Sequence, residues 1–406
     1  MTYAPGDASV LTPPPAHVPA HLIQSFDYFS PPGAELDPHA AWKRLHEGPA
    51  IFYTPLNGGH WVVTRSKDLF AAMQDFEHFS SHPFNIPARP SGTPKTIPLE
   101  IDPPELNRYR QLVIRKLSPR SLAPLEPGMR EAVTRLIEEL KPSGGAEFVS
   151  ACAVRMPVEL FLQFVQLPVS DLPRVRSWIE SIARDPDRQA HAQALEQAFA
   201  YMAQVIEQRS AHPGEDVFST LVHAEREGQI SREETISMAL NIFFGGIETV
   251  TSALSFIMRF LAENPKHRRQ LASDPALCTP AVEEFMRRFG ILNLGRTIKR
   301  NITLSGVEMR EGDRVLLPIH LYSLDDEMFE RPMDVDFHRA HFRHINFGAG
   351  PHRCLGSNLA RPELRIFLEE WTRRIPDFEL SPDNPPRAQS GAAMAVTHLP
   401  LVWKVA

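Results

Sequence analysis

One cysteine lies in a glycine-rich segment near the C-terminus, HINFGAGPHRCLGSNLARPEL, at position 354. Gly348 and Gly350 predict a turn before Cys354, and Gly356 leads into a helical pattern. Amides at a helix N-terminus stabilise a thiolate, and flanking glycines let the backbone approach a flat partner closely. A lone thiolate is a poor zinc site, but it suits the axial position of a metal whose other ligands are already present, which indicates heme. A structural cysteine in a tight turn is the alternative interpretation.

A second unusual segment, FFGGIETVTSALSF (243–256), interrupts a long apolar run with two glycines, a glutamate and a threonine. Each glycine costs a helix interior about 1 kcal/mol relative to alanine, and an ionisable group in apolar surroundings costs more. The Thr249 hydroxyl is predicted to donate to the carbonyl oxygen of Gly245 and to open the helical turn, a distortion that often marks a functional site. The alternative is a tolerated threonine beside a paired, buried Glu248.

The elements that must position these residues are mainly helical. Hydrophobic periodicity predicts helices within 127–140, 190–210, 232–263 and 281–289. Two hairpins are predicted as well, one over Ala50–Arg65 around Asn57-Gly58-Gly59 and one over Ile302–Ile319 turning near Glu311-Gly312.

The chain divides into a short arm and one large domain. Residues 1–25 are predicted to form a proline-rich extended arm, and residues 26–406 a single mainly α (α+β) domain with a large helical part and a small β-rich portion.

The composition is that of an ordinary soluble globular protein. The chain has 406 residues, a formal net charge of −6 and 43% hydrophobic residues. No basic block indicates nucleic acid as a partner. The apolar run Met238–Phe260 is long enough to span a membrane, but its polar residues favour a buried central helix and no membrane association. The unpaired spacing of Cys152, Cys278 and Cys354 predicts neither disulfides nor zinc, which suits the cytoplasm.

Several motifs together resemble one family. The run from Phe347 to Gly356 matches the Phe-x-x-Gly-x-x-x-Cys-x-Gly heme signature of the cytochrome P-450 superfamily. Glu284 and Arg287 match its Glu-x-x-Arg motif, 328–339 resembles the loop that docks on that pair, and 102–110 resembles its "DPPE" helix start. The resemblance covers nearly the whole chain and is strongest to the bacterial camphor hydroxylase branch. It implies the cytochrome P-450 fold, a heme b cofactor with Cys354 as the iron ligand, and an oxygen-activating monooxygenase.

The resemblance also implies roles for residues around the heme. Arg110, Arg296 and His352 match the partners of the heme propionates; Phe347, Gly350, Gly356 and Gly245 match positions that contact the heme. Thr249 and Glu248 match the residues that hold and deliver protons above the iron. The branch usually has aspartate where this chain has Glu248, and Arg184 matches a basic residue that pairs with that acid.

Substrate-binding positions can be carried over in the same way. They are Phe84, Pro94, Asn241, Phe244, Leu292, Leu294, Ala392 and Ala393. Most are apolar, which implies a small hydrophobic substrate, a terpenoid or a small aromatic compound. Pro94 stands at or near the tyrosine that hydrogen bonds camphor in the branch, so camphor itself is disfavoured, whereas Asn241 offers a donor on another wall.

The electron source is expected to be another protein, because no glycine-rich dinucleotide fingerprint is present. The resemblance implies a two-iron ferredoxin and an NAD(P)H-dependent ferredoxin reductase. Candidates for meeting an acidic partner are Arg108, Arg110, Arg115 and Arg361. Pro362, which departs from the branch, is expected to bend the helix behind Cys354. Two alternatives stay open: a peroxygenase driven by hydrogen peroxide, and a heme-thiolate sensor or binding protein without turnover.

Overall fold

The computed structural model describes residues 11–89, 92–184 and 188–405, apart from the side chains at 180, 182–184 and 188. Most of the described chain is helical. The α-helices are α1 Pro38–Lys43, α2 Ser66–Gln74, α3 Leu106–Ile114, α4 Pro119–Leu122, α5 Glu126–Leu140, α6 Arg155–Phe164, α7 Leu172–Arg184, α8 Arg188–Ala211, α9 Val217–Arg226, α10 Arg232–Glu263, α11 Pro265–Ser273, α12 Cys278–Arg288, α13 Leu321–Leu324 and α14 Ser357–Arg374.

The β portion is smaller, as predicted. Its strands are β1 Ile51–Thr54, β2 His60–Val63, β3 Phe79–Ser80, β4 Gly145–Glu147, β5 Asn293–Ile298, β6 Ile302–Leu304, β7 Val307–Met309, β8 Arg314–Pro318, β9 Phe378–Leu380, β10 Arg387–Gln389, β11 Ala395–His398 and β12 Pro400–Trp403. The largest sheet has the order β1-β2-β8-β5-β3, in which only the β2–β8 pair is parallel. Smaller sheets are β4-β12-β9, β10-β11 and β6-β7.

Of the two predicted hairpins, one is confirmed and one turns at a different place. β1 and β2 pair antiparallel around Asn57-Gly58-Gly59, whose three residues all have positive φ. Within Ile302–Ile319 the paired strands are β6 and β7, and the turn lies at Ser305-Gly306, both with positive φ. The prediction of a turn near Glu311-Gly312 was wrong as a hairpin, because β8 leaves that turn to pair with β5.

The residues before the first helix run along the β sheet. The Thr12 amide donates to the carbonyl oxygen of Pro55 at 2.9 Å, and His17 lies 2.8 Å from the Asp313 carboxylate. The indole nitrogen of Trp61 donates to the same carboxylate at 2.9 Å. The described part of the predicted arm is therefore attached to the sheet; residues 1–10 lie outside the described part.

Helix α10 runs through the core. It begins with a capping box in which Ser231 and Glu234 satisfy each other's backbone amides, as the sequence pattern favours. Among the described residues it is the one helix long and apolar enough to span a membrane, but 67% of its most apolar window is buried inside the protein. Its buried face contacts α6, α8 and the C-terminal strands. The predicted buried central helix is therefore confirmed.

The Glu284 and Arg287 side chains lie one turn apart on α12, and both are fully buried. The Arg287 Nε atom donates to Glu284 at 2.6 Å, and Nη2 donates to its other oxygen at 2.9 Å. The two Nη atoms also donate, over 2.7–3.0 Å, to the backbone carbonyls of Ser323, Pro332 and Asp334. Arg339 adds a bond to Glu284 at 3.1 Å. The segment 328–339 is thus held on this pair, and buried hydrogen bonds join α12, α13 and that segment into one support.

Candidate active site

A cavity of about 360 Å³ lies between α10 and the loop that carries Cys354. It is mostly apolar, and thirteen of the residues predicted for the site line it. They are Phe84, Arg110, Asn241, Phe244, Gly245, Thr249, Leu292, Leu294, Arg296, Phe347, His352, Cys354 and Gly356. Residues distant in sequence therefore share one space.

The Cys354 loop has the shape that its glycines require. Gly348 and Gly350 have φ of +76° and +66°, where a side chain would be strained. The Cys354 amide donates to the Phe347 carbonyl at 2.7 Å and closes the turn. A Cβ atom at Gly350 would lie 2.6 Å from the Met73 carbonyl oxygen, so this glycine lets the loop pack on α2 and does not itself line the cavity.

The thiol of Cys354 faces the start of α14. Burial raises its pKa, while the backbone amides of Gly356 and Ser357 and the charges of Arg110 and Arg361 act in the opposite direction. The side chain is nevertheless accessible, because it opens to the cavity. These amides are the predicted helix N-terminal donors, and they would stabilise a thiolate.

Opposite this loop, α10 presents its small residues. Gly245 is exposed to the cavity, and a Cβ atom there would meet nothing within 4 Å. Gly246 is different, because its Cβ would lie 3.0 Å from the ring of Phe161. The Thr249 hydroxyl donates to the Gly245 carbonyl at 2.8 Å, as predicted. The expected opening of the turn is not seen, since α10 is α-helical throughout.

Glu248 lies beside the cavity and is not among its lining residues. It follows Gly245 by three positions and precedes Thr249, so its side chain projects about 100° round the helix from the threonine. It is partly buried and interacts with another group of the protein. The side chain of Arg184, its predicted partner, lies outside the described residues.

Three basic groups line one part of the cavity without carboxylate partners among the described residues. Arg296 is buried and donates to the Gly295 carbonyl, at 2.8 Å, and to the Met73 sulfur, at 3.9 Å. Burial lowers the pKa of Arg296 to about 10. Arg110 donates to the Arg353 carbonyl at 2.6 Å, and burial lowers its pKa too. A buried guanidinium is costly without an anion, so this cluster fits a ligand that carries carboxylates.

His352 completes that cluster. It hydrogen bonds the Ser81 hydroxyl at 2.9 Å. Burial, with Arg296 and Arg110 nearby, lowers the pKa of His352 to about 3, so the imidazole is neutral near pH 7. A neutral imidazole can donate one hydrogen bond, which matches the predicted role beside a carboxylate.

Strand β5 and its approach form another wall. Leu292, Leu294 and Arg296 alternate along it and all line the cavity. The Gly295 amide donates to the Phe84 carbonyl at 3.1 Å, and a Cβ atom at Gly295 would lie 2.3 Å from that oxygen. Phe84 is thereby fixed over the cavity by a contact that only glycine allows.

Ala392 and Ala393 do not line the cavity, and neither does Pro94. The Ala392 carbonyl accepts from the Asn293 amide at 2.9 Å, and Ala393 forms an isolated bridge with Leu292. The two alanines therefore support the lining strand from beside it.

Two carboxylates near the cavity were not predicted from the sequence. Glu363 lines it from α14, directly after Pro362. One of its oxygens has no hydrogen-bond partner in the part of the chain that the structure describes, and burial raises its pKa to about 8. Glu100 is buried and accepts from the amides of Phe84 at 2.9 Å and Thr96 at 2.7 Å, and from Arg89. It thereby holds Phe84 and Thr96, which both line the cavity. No local pattern marks either residue, because their burial depends on contacts between distant segments.

Two of the basic residues predicted to meet an electron donor, Arg361 and Arg108, pair with carboxylates of the protein. Arg361 pairs with Glu283, with Nη2 at 3.2 Å, and its guanidinium lies 4.6 Å from the Phe347 ring centroid. Arg108 is half exposed and lies 2.9 Å from Glu234. Arg115 ends α3. Pro362 is accommodated inside α14, which continues to Arg374.

Similarity to known proteins identifies the family of this chain. The sequence profile of the family described as "Cytochrome P450" matches residues 158–274 and 276–404. The chain belongs to the cytochrome P450 family. It is 32% identical over 402 residues to "Probable cytochrome P450 127A1" of Sinorhizobium fredii, with 96% of this chain and 97% of that protein covered.

Solved structures agree with this P450 assignment. The structure "Cytochrome P450 CYP101C1" is 36% identical with a TM-score of 0.88, covering 96% of this chain and 99% of that one. The structure "CYP101J2" is 34% identical with the same TM-score, covering 97% and 100%. The predicted cytochrome P-450 fold and superfamily are therefore confirmed. The protein is a P450 monooxygenase, an oxidoreductase with a heme-iron cofactor that uses dioxygen and a redox partner.

The residues of this P450 fit a heme. Cys354 offers one thiol at a helix N-terminus, Gly245 leaves open space across from it, and the buried Arg296 has no carboxylate partner among the described residues. A flat ligand with an axial metal position and two carboxylates would satisfy all three features.

Proposed function

We propose that this P450 uses heme b (iron protoporphyrin IX) to hydroxylate a small hydrophobic compound, either a terpenoid or a small aromatic molecule. The observation that carries the proposal is that Cys354 and the Gly245–Thr249 turn line one cavity. A thiolate ligand and the segment that handles oxygen would then act on the same bound molecule. The apolar lining by Phe84, Phe244, Leu292 and Leu294 supports a hydrophobic substrate.

The residues that line the cavity suggest which groups would contact the heme. Cys354 would hold the iron, Gly356, Phe347 and Gly245 would contact the ring, and Gly350 would shape the loop. Arg110, Arg296 and His352 would bind the propionates, which would compensate the two guanidinium charges. When bound, the heme supplies the activation of dioxygen, so that one oxygen atom enters a substrate C–H bond and the other leaves as water with two electrons and two protons.

Thr249 and Glu248 are proposed to supply the protons. The Thr249 hydroxyl gives its hydrogen to Gly245, so its lone pairs can accept from a water molecule in the cavity and hold that water in place. Glu248, on the neighbouring helix face, would take up protons from solvent and pass them to this water. Glutamate reaches one methylene further than the aspartate of the camphor hydroxylase branch, so the relay would run over a longer arm.

The electron donor is proposed to be a two-iron ferredoxin served by an NAD(P)H-dependent ferredoxin reductase. We also propose that residues 26–406 act as a single catalytic domain behind the arm 1–25, in the cytoplasm. The described cysteines are free, which supports a reducing compartment.

The test is reconstitution with NADH, ferredoxin and ferredoxin reductase against a panel of terpenoids and small aromatic compounds. We expect hydroxylated product that depends on all protein components. Product formed equally well with hydrogen peroxide alone would identify a peroxygenase. A compound that binds to the protein but gives no product under either condition would identify a sensor or binding protein. A reduced carbon monoxide complex without the red-shifted thiolate band would exclude Cys354 as the ligand.

A further inference from the structure

An open groove of about 400 Å³ lies between α5, α6 and the beginning of α7. It shares no lining residue with the cavity that holds Cys354. Three arginines from three different helices line it, Arg135 on α5, Arg155 on α6 and Arg176 on α7, together with one carboxylate, Glu159. The groove is therefore positively lined on a chain whose formal net charge is −6. Such a local reversal of sign attracts anions.

Two of these arginines are held in place by crossed ion pairs between α5 and α6. Arg135 on α5 pairs with Glu159 on α6, and Arg155 on α6 pairs with Glu139 on α5 at 2.6 Å. Each described pair uses one nitrogen of the guanidinium, which has five N–H donors. Both arginines therefore keep donors for another oxygen atom. Because the ion pairs restrict the side chains in advance, a ligand that binds them loses less conformational entropy.

The remaining wall of the groove is mostly apolar. Val169, Leu172 and Pro173, from the turn before α7 and its first residues, line it beside the arginines. Val169 is 44% exposed. Covering these side chains would remove apolar surface from water, which is favourable. A ligand with both an anionic group and an apolar part would thus match the two kinds of wall.

We infer that the groove is a second binding site and that it takes an amphiphilic carboxylate, a singly charged head group on a short aliphatic chain. Glu159 and Glu139 already balance the charges of two arginines, so a singly charged head group fits better than a phosphate dianion. A carboxylate also matches the paired donors of a guanidinium. The inference does not rest on the proposed function, because the groove and the cavity of Cys354 have different lining residues.

The experiment must keep the probe out of the heme cavity. Heme-loaded protein is first saturated with 4-phenylimidazole, whose imidazole nitrogen binds heme iron, and octanoate is then titrated into this complex by isothermal calorimetry. We expect one octanoate per chain and an unchanged Soret band. Acetate, which lacks the chain, and 1-octanol, which lacks the charge, should each bind at least about tenfold more weakly.

Variants locate the site. Arg155→Gln and Arg176→Gln should each raise the octanoate Kd about 5- to 10-fold, because each removes a charged donor. Arg155→Gln should still fold, since its partner Glu139 has a side chain that is 47% exposed and remains hydrated. The matched control is Arg174→Gln, on the same helix as Arg176 but outside the groove. It should change the octanoate Kd by less than about twofold.

Three results would overturn the inference. The first is an octanoate Kd that is the same in the natural chain, Arg155→Gln and Arg176→Gln. The second is acetate or 1-octanol binding as tightly as octanoate, since the groove would then not need both parts of the ligand. The third is a Soret shift during the titration, which would place octanoate at the heme. All three leave the proposed monooxygenase untouched, because that proposal depends on product formed in the reconstituted system.

Discussion

Replacing Arg287 with lysine tests whether the support under the cysteine loop depends on the shape of the guanidinium or only on its charge. Arg287 makes five hydrogen bonds, two to Glu284 and three to backbone carbonyls of α13 and the segment 328–339. Lysine keeps the charge but has three donors on one atom, so it can make at most three of the five. At least two buried acceptors lose their partner, at about 1–3 kcal/mol each. We expect a loss of about 3–5 kcal/mol in the free energy of unfolding.

The damage should extend to the heme site. The Asn346 amide donates to the carbonyls of Met286 and Arg287, and Asn346 immediately precedes Phe347, whose carbonyl closes the Cys354 turn. A shift in α12 therefore reaches the loop directly. Arg287→Lys should retain less heme per protein after gel filtration, in addition to unfolding at a lower urea concentration.

The control is Arg331→Lys. Arg331 lies on the same segment, is 69% exposed and pairs with Asp334 at 3.3 Å. An exposed pair contributes little, so the free energy of unfolding should change by less than about 0.5 kcal/mol. A loss below about 1 kcal/mol in Arg287→Lys, or an equal loss in the control, would refute the reasoning, since charge alone would then hold the support.

Three further predictions concern the cavity. The pKa of Glu363 is about 8 in the folded protein and about 4.5 in the unfolded chain, so the free energy of unfolding should fall as the pH rises from 4.5 to 8. Glu363→Gln should remove about 3–5 kcal/mol of that fall, as measured by urea unfolding at both pH values. Gly245→Ala should fold normally but reduce substrate affinity, whereas Gly246→Ala should lower Tm, because its methyl group meets Phe161. Glu100→Gln should raise the substrate Kd at least fivefold with heme content unchanged, because it weakens the hydrogen bonds that hold Phe84 and Thr96 at the cavity.

Each of these has a result that would contradict it. A pH dependence of stability that is identical in Glu363→Gln and the natural chain would show that the carboxyl is already ionised at pH 7. Equal Tm values for the two glycine variants would contradict the difference in their surroundings. A Glu100→Gln protein that binds substrate normally would mean that the Gly295 contact holds Phe84 in place by itself.

Local patterns predicted the elements better than the contacts between them. The helices within 127–140, 190–210, 232–263 and 281–289 match α5, α8, α10 and α12 within a few residues. The hairpin over Ala50–Arg65 was predictable because its turn residues need positive φ. The pairing of β8 with β5, and not with β7, depends on segments about twenty residues apart, and no local signal specifies it.

The site could be predicted where a short motif carries the chemistry. The turn around Cys354 and the Thr249 bond to Gly245 follow from residues within ten positions of each other. The buried carboxylates Glu100 and Glu363 could not be foreseen in this way, because nothing next to them in the sequence indicates that they are buried. The internal pairing of Arg361 with Glu283 likewise depends on how α12 packs on α14.

Strand β5 carries residues for two different functions, substrate binding and cofactor binding. Leu294 faces the substrate space and Arg296, two residues later on the same face, faces the expected propionate, while Gly295 between them holds Phe84 from behind. Because side chains alternate along a strand, a slip of one residue would turn both functional side chains away together. A substitution at Leu294 can therefore alter the substrate range by itself. An inserted or deleted residue in this strand would impair both cofactor binding and substrate specificity.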